Sequence, residues 1–181
     1  MKKIIGILSA ALLLLSPVFS QGTWTQKANL GAAAQSRSSG AGFSLGGYGY
    51  IGTGYNGTPR VDFWQYDPVA NTWTQKVNFG GTARYGAIGF AANGSGYIGL
   101  GTDAIAPYCV DLWKYDPIGN SWSQVANFTG SGRMSAACFA IGNNAYVGTG
   151  RDAAAKTDFF KYNAVTNTWT TRAAFTGTAR Y

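Results

Sequence analysis

The side chains in this 181-residue sequence best suited to gripping a ligand are arginines and tyrosines rather than acids and bases. Arg37, Arg84, Arg133 and Arg180 recur at intervals of 47, 49 and 47 residues, and Tyr55, Arg60, Tyr85, Tyr108 and Arg151 fall between them. Arg presents a rigid, planar fork of donors and Tyr an amphipathic ring, the two types that dominate binding hot spots and stack on sugars. Proton-transfer groups are scarce by comparison, because the chain has no His and all seven of its acids are Asp. That removes imidazole bases, His-ligated metals, Ser-His and Cys-His nucleophile pairs, and every mechanism needing a glutamate. Asp62, Asp111 and Asp158 keep a register of their own and are read as partners of a repeated Arg or as loop caps, whereas Asp103 and Asp152 are isolated. No catalytic residue, metal site or cofactor is expected from this inventory, and no calcium loop of EF-hand spacing occurs.

The elements that must position these residues are strands. Only 12% of residues are charged, 46% are hydrophobic and 15% aromatic, with 26 glycines, a composition that predicts a packed, Gly-punctuated all-β fold rather than a disordered chain. One motif is written three times. Trp24, Trp73, Trp122 and Trp169 are spaced 49, 49 and 47 residues apart. Tyr50-Ile51-Gly52-Thr53-Gly54 returns as Tyr97-Ile98-Gly99-Leu100-Gly101 and as Tyr146-Val147-Gly148-Thr149-Gly150. Val61-Asp62-Phe63-Trp64-Gln65-Tyr66-Asp67-Pro68 returns at Val110–Pro117 and, more loosely, at Thr157–Ala164. Each period of about 48 residues holds four short β-compatible runs, in the second repeat Gly86–Ala92, Gly96–Leu100, Val110–Tyr115 and Ser121–Val125. Asn93-Gly94 signals a tight hairpin, and Asp116-Pro117-Ile118-Gly119-Asn120 a turn. Four antiparallel strands per period predict one propeller blade.

These residues resemble the kelch repeat of the galactose-oxidase-like β-propeller superfamily. The resemblance is carried in the second repeat by Arg84, Tyr97, Gly99, Tyr115, Asp116, Pro117, Asn120 and Trp122, and recurs across nearly the whole chain. One departure is the family's double glycine, which here is Gly-x-Gly at 52/54, 99/101 and 148/150. The expected fold is three four-stranded blades (repeats at about 28–76, 77–125 and 126–172, with a fourth beginning at 173–181), an extra strand at Thr23–Lys27, and an incomplete ring. Because successive strands alternate direction, the loop entering each innermost strand and the loop between the second and third strands share one face. That face should display Arg37, Tyr55, Arg60, Arg84, Tyr85, Tyr108, Arg133 and Arg151. Trp24, Trp73, Trp122, Trp169, Tyr50, Tyr97, Tyr146, Gly52, Gly99 and Gly148 are read as structural, the aromatics filling the wedge between blades and the glycines allowing close approach. The resemblance most often implies a non-catalytic interaction module for a protein or a glycan; the alternative is a fragment of a sugar-active enzyme. The family's copper oxidases use His ligands, which this chain lacks, and a mutarotase-like mechanism would have to rely on Asp.

Residues 1–20 read as a secretory signal peptide: Lys2 and Lys3, an apolar run over Ile4–Leu15, then Ser16-Pro17 and small residues before Gln21. The run falls short of the roughly 20 residues that span a bilayer, and no Cys follows it for acylation, so a periplasmic or extracellular product without a membrane span is expected. Removing both lysines leaves 12 − 7 = +5, with the charges scattered singly, which argues against nucleic acid as a partner. Cys109 and Cys138 lie in different repeats and read as buried thiols or as a bridge. Closed propellers need about four to eight blades. Three blades therefore suggest either a partial chain or two copies assembling into a six-bladed ring.

Overall fold

The computed structural model describes residues 23–31, 36–103 and 108–181; residues 1–20, expected from the sequence to be a signal peptide, lie outside them. Fourteen strands occur among the described residues and no helix is long and apolar enough to cross a membrane. The first blade is β1 (Ala41–Leu45), β2 (Tyr48–Gly52), β3 (Phe63–Asp67) and β4 (Thr72–Gln75), hydrogen-bonded in that order. Between it and the second blade lies β5 (Arg84–Tyr85). The second blade consists of β6 (Ile88–Ala92), β7 (Ser95–Gly99), β9 (Leu112–Asp116) and β10 (Ser121–Val125). A two-residue strand, β8 (Thr102–Asp103), pairs with β5. The third blade is β11 (Ala137–Ile141), β12 (Asn144–Gly148), β13 (Phe159–Asn163) and β14 (Thr168–Arg172). Every pairing is antiparallel.

Local chemistry sets these meanders. Asn93 and Gly94 both take positive φ, 48° and 71°, which matches the right-handed twist of the strands they join. In the turns before the outermost strands, the Asp67 carboxylate accepts hydrogen bonds from the Val69 and Ala70 amides, and the Asn163 side chain does the same for Val165 and Thr166. Asn71, Asn120 and Asn167 then sit at φ 54°, 45° and 55°, a conformation Asn tolerates better than most residues. Their Oδ1 atoms accept from the Tyr66, Tyr115 and Tyr162 hydroxyls and also from the backbone of an earlier segment: Ala28 N to Asn71, Val77 N to Asn120 and Ala126 N to Asn167. The repeated Asn-Thr/Ser-Trp is thus a fastener between neighbouring units. Trp73 and Trp169 complete it by donating Nε1–H to the Ala28 and Ala126 carbonyls, while the buried Trp122 Nε1 has no partner within range.

The innermost strands stand side by side, β6 lying against both β1 and β11, so the blades form an open arc. Two apolar cores fill the wedges. Ala41, Tyr50, Phe63, Phe79, Ile98 and Tyr115 lie between the first and second blades. Phe90, Tyr97, Leu112, Phe128, Val147 and Tyr162 lie between the second and third. Tyr97, Tyr115 and Tyr162 are 1%, 0% and 1% exposed, so the second blade places a fully buried ring at each of its neighbours and the third places one at the second. Burying a large apolar side chain contributes roughly 1.5–3 kcal/mol, and edge-to-face ring pairs about 0.5–1.5 kcal/mol more.

One expected element is absent. Residues 23–30 form no strand, and Trp24 is fully exposed. The Thr-Trp-Thr-Gln run has the propensity of its sister copies, but a strand exists only through the partner that satisfies its backbone groups, and no described strand pairs with it.

Candidate functional site

The loops entering the blades and the loops between each blade's second and third strands do share one face, and they are laced together there. Ser38 bridges Tyr55, Arg60 bridges Arg84, Met134 bridges Arg151 and Lys156 bridges Arg180, with β5 and β8 continuing the rim. Across each junction a glycine amide donates to the carbonyl of the next unit's Arg: Gly54 to Arg84, Gly101 to Arg133 and Gly150 to Arg180, at 2.8–2.9 Å. This explains the Gly-x-Gly spacing. At Gly101 φ is +86° and a Cβ would press on the Tyr85 carbonyl, so only glycine lets the chain turn toward the neighbouring blade.

The repeated arginines are not on the surface of that face. Arg84 and Arg133 are 1% and 0% exposed, and the Arg37 side chain is 6% exposed. Each forms a two-pronged ion pair with the register Asp of its own blade. Arg37 donates to Asp62 at 2.8 and 2.5 Å, Arg84 to Asp111 at 2.5 and 2.8 Å, and Arg133 to both Asp158 oxygens. The same guanidinium also donates to the carbonyl of the middle residue of Gly-x-Gly, Thr53, Leu100 or Thr149. Arg84 and Arg133 further lie over the Phe79 and Phe128 rings at 5.1 Å. Their placement on a ligand-contacting surface is therefore corrected: a guanidinium that must be desolvated is kept where a carboxylate and carbonyls saturate its donors.

The carboxylates respond to this enclosure. Burial alone would lift Asp62, but hydrogen bonds from Arg37 and the Trp64 indole and the charges of Arg37 and Arg60 outweigh it, holding the carboxyl below the usual range. Asp111 behaves alike, with burial opposed by Arg84 and the Trp113 indole. Trp64 and Trp113 each donate Nε1–H to the carboxylate two residues earlier at 2.7 Å. Phe160 occupies this position in the third blade and has no such hydrogen, and the Asp158 side chain is 39% exposed against 22% for Asp111 and 10% for Asp62. The Asp-x-Trp spacing was the signal for this donor in the sequence.

The remaining candidates divide by place. Tyr55 is 41% exposed and its ring lies 5.1 Å from that of Tyr85 across the first junction. Arg60 is partly exposed beside them, its Nε 3.5 Å from Asp62, a carboxylate already taken by Arg37. Tyr108 donates its hydroxyl to the Asp152 carbonyl at 2.6 Å, tying the second blade's loop to the third. The Arg151 guanidinium lies over the Tyr181 ring at 4.7 Å. The structure thus brings Tyr55, Tyr85 and Arg60 into one cluster and leaves Arg151 in another. The two acids that looked isolated have partners: Asp152 pairs with Lys156 at 2.7 Å, which draws its pKa well down, and Asp103 accepts from the Thr82 hydroxyl.

Among the described residues no cluster of three potential ligands could hold a metal ion. Cys109 and Cys138 are free thiols; burial pushes them up to about 11 and about 12, where the nucleophilic thiolate is scarce at neutral pH.

Fold and face together define a β-propeller arc. Among solved structures the chain is similar to one titled "Structure of YjhT", with a TM-score of 0.68 at 16% sequence identity, covering 79% of this chain. The chain spans about half of that protein, 54% of its length. At this identity the likeness establishes the fold. No protein-family profile matches the sequence, and no curated protein does so significantly.

Proposed function

We propose that the chain is a segment of a kelch-type propeller that works as an exported, non-catalytic binding module, taking a protein or glycan on its laced loop face. The observation that carries this reading is the employment of the acids. Asp62, Asp111 and Asp158 hold arginines, Asp67 and Asp116 cap turns, Asp152 pairs with Lys156 and Asp103 accepts from Thr82. With each carboxylate engaged in holding loops, the face offers exposed aromatic rings and guanidinium groups, which suit recognition rather than proton transfer. Tyr55, Tyr85 and Arg60 form the contact cluster, and Tyr108 and Arg151 lie apart from it toward the third blade.

A glycan array together with a panel of sugar-turnover assays tests this. Binding lost in Tyr55→Ala and Arg60→Ala, with no turnover, supports the module. Turnover without added metal would overturn it in favour of a sugar-active enzyme.

A further inference from the structure

On the face opposite the loops, the hairpin ends of the three blades differ from one another more than their strands do. The second blade joins its first two strands through Asn93-Gly94 and follows with Ser95, which is 7% exposed, and the third places Asn144 at the same position. In the first blade Leu45 pairs with Tyr48 across Gly46-Gly47, at φ 60° and 83°, the same two-residue turn. Asn93 shows that this turn does not need glycine at its first position, yet Gly46 stands there, and a Cβ on Gly46 or Gly47 would meet nothing within 4 Å. The turn is bare where its sister carries a side chain, and the Tyr48 beside it is 40% exposed.

The outer turn of the same blade completes a hollow. One step beyond the Gly49–Tyr66 pair, the register sets Tyr48 across from Asp67. Side chains so placed have Cβ atoms about 4.5–5.5 Å apart. Asp67 Oδ1 is held by the Val69 and Ala70 amides at 2.8 and 3.0 Å, which fixes the carboxylate and leaves Oδ2 without a donor among the described residues. With Pro68 and the exposed Val69, these groups line a hollow of about 310 Å³. That is the small end of ligand sites, which run about 300–1,000 Å³. The hollow does not owe its opening to the end of the arc. Strand alternation puts Tyr48 on the side of Tyr50, and Asp67 on the side of Phe63 and Gln65, which is the side that packs on the second blade at Tyr115.

We propose that this hollow is a ligand site separate from the loop face, and that it takes a neutral pyranose. A pyranose has a face of C–H groups, which suits the Tyr48 ring beside Pro68 and Val69, and an edge of hydroxyl donors, which suits the fixed Asp67 carboxylate. The same carboxylate repels an acidic sugar, so this site prefers the opposite charge from the guanidinium-bearing loops. The second and third blades carry Ser95 and Asn144 in place of the ring, so the first blade alone among the three has the site. One stacking ring and one carboxylate oxygen make a weak site, with a dissociation constant on the order of 1 mM.

Titration of the chain with methyl glucoside, methyl galactoside and methyl mannoside, followed by amide NMR, tests this, with glucuronate and glucosamine as charged probes. At least one neutral glycoside should shift the Gly46 and Gly47 amides, and glucuronate should not. Two variants borrow from sister blades and so keep the fold: Tyr48→Ser, after Ser95 of the second blade, and Asp67→Asn, which retains the turn acceptor as Asn163 does in the third. Tyr48→Ser should weaken binding by at least about tenfold, and Asp67→Asn by about threefold. No shift of those amides with any neutral glycoside, or full affinity in Tyr48→Ser, would overturn the proposal. So would a response to glucosamine or glucuronate alone. Binding lost in Tyr55→Ala but kept in Tyr48→Ser would also overturn it, by putting the sugar on the loop face.

Discussion

The second and third blades carry the same repeated motif but hold their buried arginines differently. In the second blade Asp111 receives Arg84 on two oxygens and the Trp113 indole on one of them, and the blade is covered on both faces. Phe160 replaces that indole in the third, Asp158 is more exposed, and one face is open, with β11 largely accessible where β6 alternates between buried and half-buried. A repeated motif therefore fixes the geometry of an ion pair, while its neighbours determine how dry it is and how much depends on it.

Breaking the pair in each blade should expose that difference most. Asp111→Ala strands a fully buried guanidinium and should destabilise the chain by about 3–5 kcal/mol in urea unfolding. Asp158→Ala strands Arg133, which is as deeply buried, but should cost less, about 1–2 kcal/mol, because water that already reaches the carboxylate can take its place on the guanidinium. Equal losses would mean that blade context contributes nothing.

Acid should act through the same groups. The Asp62 and Asp111 carboxyls lie lower in the folded chain than in the unfolded one, so the stability they contribute is present above the unfolded value of about 3.9 and is lost as pH falls through their folded values. Asp111→Asn should flatten this part of the stability profile below about pH 4. A profile with the parent's slope would assign acid sensitivity to other carboxylates.

A milder change should make the blades alike. Phe160→Trp supplies the missing donor and should add about 1 kcal/mol, and Trp113→Phe should remove a similar amount, both read as shifts in the urea midpoint. The smallest effect is expected at the rim. Tyr55→Ala should leave stability within about 0.5 kcal/mol while reducing ligand binding, separating the rings that recognise from the arginines that hold.

Much of the fold could be read from the sequence because it is written in local chemistry: Asn93-Gly94, the Asp116–Asn120 turn, and strands whose rings recur in register. The shared loop face followed from strand direction alone. The burial of Arg84 and Arg133 did not, since an Arg in register suits an exposed loop as well as an internal pair; only the carboxylate 25 or 27 residues later, brought back by a whole hairpin, decides between them. Thr23–Lys27 failed for the converse reason, its strand propensity being local and its missing partner not.

The amide that each Gly-x-Gly sends to the following arginine's carbonyl bears on how such a chain can change over generations. A stretch cut from one arginine to the next carries its own clasp, the donor for the unit ahead and the acceptor for the unit behind. Copying or deleting that stretch leaves every remaining junction with a matching pair of ends, so blade number can drift by recombination without any junction having to be reinvented.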